Sequence, residues 1–432
     1  MNTFSHVAAS LVLDTGQRAA RDLVLTAPPG ADITIAGGGG VGKTALLSAV
    51  VADLRAARVA FIVCAPTNRA CRVLISRGVY ARTLHSVVYH PKPTPEAEFD
   101  TLSEAHTALM QQLPRDDTAI TAIARRIQEL LEPSFTPAES NDGVACVLVD
   151  ESSMVSHEMY SDLRKAVGSA AVIVSIGDQA QLPPVSTARS PQTQRFQTLA
   201  PDIILTRQHR FDVAGYDPAL FADSLLTTGA LRGAGAGVFV RDTVPGNAPI
   251  ICATNKMRNR IGRWRHRQIH PGAMLPPTFE LVSLVTHSAM QISSGDALEV
   301  AFDGPVDVSK INPAVPVLTA RVRNLDALET VFKPRRLWLG DIHETLTGQR
   351  AITWRPAPAP GAKKQPPIAV SLPYCRTVHH AQGSEWPFVC VSLDILRHGR
   401  WLPPERRALI YTALTRPRQG LSFLPTALPG VV

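Results

Sequence analysis

Cysteine is sparse in this 432-residue sequence: six are scattered along it, and no two stand in C-x-x-C spacing. That excludes a disulfide framework and a zinc ribbon, and it reads as buried thiols in a reducing compartment. No run of roughly 18 apolar residues occurs, so no membrane span is expected. Residues 1–13 carry no basic-then-apolar leader, so no secretion signal is expected there. No internal repeat is visible, which argues against a solenoid. Lysine is scarce, with eight among 44 basic residues. Acidic residues are outnumbered: the net charge is +8 and the pI near 9.4. That is a moderate bias toward a polyanion such as nucleic acid. Apolar content of 45% and charged content of 19% are those of a globular protein, and the length allows two or three domains.

Against the scarcity of lysine, Lys43 stands out. It closes the run Gly37-Gly38-Gly39-Gly40-Val41-Gly42-Lys43-Thr44, which fits G-x-x-x-x-G-K-[ST]. An apolar stretch precedes the run at 33–36 and a helical one follows at 45–51. A strand feeding a glycine loop and then a helix N-terminus makes a phosphate cradle. Gly37, Gly40 and Gly42 let backbone N–H groups turn inward, Lys43 can reach the outer phosphates, and the Thr44 hydroxyl can ligate Mg²⁺. About a hundred residues later, Val147-Leu148-Val149 ends in Asp150 and Glu151. Asp150 suits Mg²⁺, and Glu151 can orient or deprotonate an attacking water. A carboxylate for water favours hydrolysis of ATP over phosphoryl transfer to a small molecule.

Candidate strands at 60–64, 145–149, 171–176 and 203–205 alternate with helical stretches, the pattern of a parallel sheet covered by helices. The alternation breaks at 87–142, where Ile120, Ile123, Ile127 and Leu130 fall at helical spacing, which predicts a mainly helical insertion. A second strand-rich block is expected at 249–253, 374–378, 388–393 and 409–411. Between its parts, 292–370 holds short β-like pieces that suggest a small barrel, and 355–367 reads as a Pro-rich connector. The expected fold is thus α/β, with two RecA-like P-loop domains. The first comprises 1–86 and 143–205, with 87–142 inserted. The second comprises 206–291 and 371–432, with 292–370 inserted.

Eight segments resemble the motifs of superfamily 1 helicases, most closely the 5′-to-3′ branch with RecD-like and phage Dda-like enzymes. Leu13 to Ala20 is similar to the glutamine motif, which implies that Gln17 reads adenine. Ala65 to Ala70 and Thr83 to Ser86 resemble strand-binding motifs. Asp150 to Val155 resembles the Mg²⁺ motif, and Gly177 to Pro184 the motif coupling ATP to DNA through Gln181. Leu205 to Arg210 and Tyr411 to Arg416 resemble the two arginine-finger motifs, and Thr377 to Glu385 a motif spanning DNA and nucleotide.

The resemblance implies ATP and Mg²⁺ as cofactors. Arg210 and Arg416 would be transition-state fingers, with His209, Gly383 and Glu385 beside the nucleotide. His209 stands where relatives often carry a tyrosine that stacks on adenine. For the nucleic acid the resemblance points to Pro66, Thr67, Asn68, His85, Thr254, Asn255, Thr377 and His379. Bland alternatives stand beside these roles. Arg210 and Arg416 could be surface ion-pair partners, Gln181 could cap a turn, and Thr67 and Asn68 could be helix caps. His379-His380 lacks a partner cluster for a metal. The helix expected at 258–267 carries five arginines, on a solvated face or against DNA backbone.

The implied function is an ATP-dependent DNA helicase moving 5′ to 3′ on single strands. The alternatives are a strand-stimulated translocase without strand separation, and an RNA helicase. Single-stranded DNA and duplex junctions are the expected partners, with single-strand-binding or replication proteins beside them. The expected molecule is a monomer, without membrane contact, in the cytoplasm of a bacterial or phage-infected cell. No nuclease or relaxase segment is visible, which suggests a stand-alone motor.

Overall fold

The computed structural model describes residues 12–91, 143–184, 193–210, 216–229, 245–270, 272–284, 296–311, 317–325, 331–348, 368–397 and 403–425, residue 292, and scattered residues between 98 and 138. They group into two compact units, one of 1–88, 138–266 and 373–432, the other of 89–137 and 267–372.

The first unit holds two parallel sheets. One has six strands in the spatial order Arg82–Thr83, Phe61–Ala65, Cys146–Val149, Val172–Gly177, Asp32–Gly37 and Ile203–Leu205. Its central strands Cys146–Val149 and Val172–Gly177 are buried throughout and mostly apolar because helices cover both faces. Ile35, Leu148, Val174 and Ile176 pack with Leu46, Leu47 and Val50 of the helix Lys43–Ala56. A second helix, Thr15–Leu25, starts in a capping box. The Asp14 carboxylate accepts the Gln17 N–H at 2.8 Å and the Gln17 side chain accepts the Asp14 N–H at 3.0 Å. The other sheet has four strands in the order Cys375–Thr377, Ile250–Cys252, Trp386–Ser392 and Pro417–Leu424. The helices Pro218–Thr228 and Pro403–Leu414 share its core through Phe221, Val389, Leu409 and Leu421. Ile261 of the helix Asn255–Ile269 packs with Ile250, Cys252 and Cys375.

The second unit holds a two-stranded antiparallel ribbon, with Tyr89 opposite Pro137 and Pro91 opposite Phe135. The described residues within 98–109 and 118–126 are helical, as expected, and Arg126 pairs with Glu98 at 2.8 Å. The other residues of the two stretches expected to be helical lie outside the described residues, as does the stretch 355–367. A closed barrel is formed by Thr278–Ser283, Ala297–Ala301, Val317–Asn324, Lys333–Trp338 and Ile368–Ser371. Leu281, Leu298, Val300, Val322 and Leu337 are buried in it, alternating with more exposed neighbours.

The fold class is the one the sequence implies: two RecA-like layers, a helical insertion and a small barrel. Two local expectations change. The barrel takes its first strand from 278–283, inside the stretch assigned by sequence to the second RecA-like domain. The strand expected at 409–411 is the end of a helix. Leu409 to Leu414 is buried on every side, and a helix buried all round reads as an apolar run with no helical period.

Leu148 is fully buried in the middle of the six-stranded sheet. Leu148→Ala is expected to lower stability by about 2–5 kcal/mol through lost burial and the cavity left behind. The shift in denaturant midpoint at unchanged slope measures it.

Candidate functional site

The glycine loop lies between the carboxyl end of strand Asp32–Gly37 and helix Lys43–Ala56. Gly40 and Gly42 have φ of 90° and 79°, which a side chain rarely adopts. A Cβ on Gly40 would stand 2.1 Å from Gln208 Oε1, and one on Gly42 2.3 Å from Gln17 Nε2. Lys43 Nζ donates to the carbonyls of Gly37 and Gly38, both at 2.8 Å.

A cavity of about 300 Å³ opens beside the loop. From the first sheet it is lined by Gly40, Gly42, Lys43, Thr44, Asp150, Glu151 and Gln181, and from the segment after it by His209 and Arg210. The second sheet adds Gly383, Glu385, Arg416 and Arg418. Of the nucleotide-site residues named from sequence, only Gln17 and Gly37 stand off this lining, and both touch the loop. Gln17 Nε2 donates to the carbonyls of Val41 and Gly42 at 3.3 and 3.4 Å. A Cβ on Gly37 would meet Val41 Cγ2 at 2.7 Å.

Burial, and then the neighbouring Glu151, push the Asp150 carboxyl up to about 7, with Lys43 pulling the other way. Glu151 has a φ of 52°, a strained position for a side-chain-bearing residue, and it aims its carboxylate from the cavity wall. The Thr44 hydroxyl and Asp150 carboxylate are hard oxygen donors on one cavity, which suits Mg²⁺. The bare loop beside them suits phosphates.

Arg416 is 3% exposed and is held by the Thr412 carbonyl (2.9 Å), the Ser384 carbonyl (3.2 Å) and the Thr415 hydroxyl (2.9 Å). Arg210 pairs with Glu385 and donates to the Thr415 carbonyl at 3.2 Å. Burial pulls the Arg210 guanidinium below the usual arginine range, and Glu385 opposes that. Burial would raise Glu385, but Arg210 and Arg418 outweigh it and hold the carboxylate low. Two further cations on the cavity were missed by sequence reading: Arg77, and Arg418, which stands 3.0 Å from Glu385. The signal for Arg418 lay two residues beyond the last motif. His209 Nε2 donates to Asp14 Oδ2 at 2.8 Å, so its ring is tied to the cap of helix Thr15–Leu25.

The residues named for nucleic acid do not line this cavity. They stand at helix N-termini above the carboxyl ends of strands. The hydroxyl of Thr67 accepts the Ala70 N–H at 3.1 Å, that of Thr254 the Met257 N–H at 3.2 Å, and that of Thr377 the His380 N–H at 3.4 Å. Thr83, just before His85, does the same with Ser86 at 3.3 Å. Pro66 and Asn68 flank Thr67, Asn255 follows Thr254, and His379 is in the first turn after Thr377. The cap reading of Thr67 therefore holds, and it orients further N–H groups outward. Burial holds His85 and His379 below the usual histidine range. Among the described residues, no three His, Cys, Asp or Glu side chains cluster to hold a metal. In the helix Asn255–Ile269, Arg258 is buried while Arg260 and Arg267 are exposed.

His380 is pushed down to about 4 from 6.5, first by burial and then by Arg258, His379 and Arg376. The unfolded chain therefore takes up this proton at a higher pH than the folded one. Its contribution to stability is complete above about pH 6.5 and is lost as pH falls toward about 4. His380→Asn is expected to flatten the slope of stability against pH in that window. Urea midpoints at about pH 7, 5.5 and 4.5 read it, and an unchanged slope would mean that the imidazole is solvated.

Two family models match the sequence: the AAA domain over residues 12–222 and the UvrD-like helicase C-terminal domain over 373–424. No curated protein matches it. Solved structures are similar over nearly the whole chain. One of two coordinating Pif1 helicases at forked double-stranded DNA is 15% identical, covers 95% of this chain and 92% of its own, and has a TM-score of 0.54. Pif1 from Bacteroides bound to single-stranded DNA covers the same shares at 15% identity and a TM-score of 0.52. The Bacteroides complex with ADP-AlF3 and single-stranded DNA again covers 95% and 92%, at 14% identity and a TM-score of 0.51. At such identities the likeness to these structures establishes the fold alone. The chain thus matches an AAA domain over 12–222 and a UvrD-like helicase C-terminal domain over 373–424, on a fold that it shares with Pif1 helicases.

Proposed function

We propose that this chain is an ATP-dependent DNA helicase that moves 5′ to 3′ along a single strand and opens the duplex ahead of it. The observation that carries the reading is the shared cavity. The phosphate loop and carboxylates of one sheet face arginines set by the other, and polar helix N-termini crown both sheets. A nucleotide in that cavity touches both layers, so hydrolysis changes the gap between them. Helix ends on each layer would then grip and release backbone phosphates in turn. The neighbouring Pif1 structures with single-stranded and forked DNA are consistent with such a substrate.

In this reading Lys43 leaves its two loop carbonyls for the outer phosphates, and Glu151 orients the attacking water. Thr44 and Asp150 would hold Mg²⁺, which when bound offsets charge on the phosphates. Arg210 and Arg416 stabilise charge on the departing phosphoryl group. Gln17 and His209 flank the base side of the loop. The protein works as a monomer on single strands and duplex junctions, with single-strand-binding or replication proteins as further partners. A translocase that never separates strands is the second reading. The ribbon Tyr89–Pro91 with Phe135–Pro137 favours unwinding, because it brings two aromatic residues, candidate wedges between strands, to the root of the 87–142 insertion.

Duplexes with a 5′ or a 3′ single-stranded tail test the proposal. Opening of the 5′-tailed duplex alone, lost in Lys43→Ala, is expected. Arg416→Ala should lower strand-stimulated turnover by ~10³–10⁵. Opening of only the 3′-tailed duplex would reverse the polarity. Turnover without opening of either would leave the translocase, and preference for matched RNA duplexes would change the substrate.

A further inference from the structure

One buried hydroxyl ties the phosphate loop to the second sheet. Tyr411, on the helix Pro403–Leu414, accepts the Gly39 N–H at 3.1 Å and donates to Asp178 Oδ2 at 2.8 Å. Asp178 Oδ2 also accepts from Gln181 Nε2 at 3.1 Å, and Oδ1 accepts the Ala180 N–H at 3.1 Å. The next residue on the helix repeats the link, since Thr412 Oγ1 accepts the Leu182 N–H at 3.2 Å. Tyr411, Asp178, Gln181 and Thr412 are all buried. Burial, and then Asp178, push the tyrosine's pKa far up, so the hydroxyl keeps its proton and stays a donor. Gly39 and Gln181 line the nucleotide cavity, together with Lys43 and Arg416. A phosphate oxygen arriving beside Lys43 therefore competes with the tyrosine oxygen for the Gly39 N–H.

We propose that Tyr411 is a positioning residue that reports on the phosphate loop: its hydroxyl yields the Gly39 N–H to an incoming phosphate and passes the change through Asp178 to Gln181. No bond is made or broken covalently. The chain of contacts runs from the loop, through the helix that ends two residues before Arg416, to the turn 177–184 that holds Gln181. This rests on the ATPase reading above and assigns it a residue.

Tyr411→Phe keeps the ring and removes the hydroxyl. If the exchange occurs, the variant has one competitor fewer, and a fluorescent ADP analogue should bind about 2–10-fold tighter, the fold-change of one neutral hydrogen bond. Stimulation of ATP turnover by single-stranded DNA should fall at least about tenfold, in kcat more than in the KM for ATP. Asp178→Asn should lower the stimulation comparably, and the double variant no further, because both act through one contact. A structural role alone would weaken nucleotide binding instead. Unchanged or weaker binding, retained stimulation, or additive losses would each overturn the proposal. A wild-type chain whose turnover ignores single strands would sink the helicase reading, and the binding measurement would then decide the role of Tyr411 by itself.

Discussion

The bare backbone of the phosphate loop is what the molecule is arranged around. The motif demands small residues at Gly37 and Gly42, yet the sequence runs glycine through 38, 39 and 40 as well. At those three positions the loop meets residues from outside its own strand and helix. A Cβ would come within 3.1 Å of the Tyr411 hydroxyl at Gly38, 2.9 Å of Thr415 Cγ2 at Gly39, and 2.1 Å of Gln208 Oε1 at Gly40. Three hydrogen bonds replace those lost contacts: Gln208 Nε2 to the Gly39 carbonyl, the His209 N–H to the Gly40 carbonyl, both at 2.9 Å, and the Gly39 N–H to Tyr411. The glycines thus serve two surfaces, one for phosphate and one for the second layer.

Charge is distributed to match. The carboxylates Asp150 and Glu151 are on the layer that carries the loop. Arg416 and Arg418 come from the other layer, and Arg210 from the segment between them. Glu385 holds two of the three arginines in register, so like charges can converge on a half-enclosed cavity without dispersing. Arg416 needs no carboxylate, because carbonyls and a hydroxyl on its own layer fix it.

Much of this was legible in the sequence because backbone geometry dictates it. The strand–glycine–helix passage, the buried strand ending in Asp150 and Glu151, and the threonines ahead of helices each follow from local rules. The second half of the helix Pro403–Leu414 was not legible, since enclosure of Leu409 to Leu414 on all sides erased its period. The barrel strand Thr278–Ser283 follows the helix Asn255–Ile269 and was assigned with it to the second RecA-like stretch. The tyrosine–aspartate contact joins residues 233 positions apart, and nothing in either local segment announces it. Gln17 illustrates a different limit. Its motif was readable, but the structure directs its amide to backbone carbonyls of the loop, a use that spacing alone does not reveal.

Strands Ile250–Cys252 and Cys375–Thr377 are direct parallel neighbours, yet the chain leaves after one, builds a barrel, and only then returns to form the other. This pairing at the edge of the second sheet is therefore strongly non-local, and closing so long a loop is entropically costly and slow. A barrel that folds first shortens the effective loop, because its first and last strands, Thr278–Ser283 and Ile368–Ser371, are themselves paired. The small barrel then has a task in folding apart from any contact it makes with a ligand: it acts as a clasp that brings the two halves of the second sheet within reach of each other.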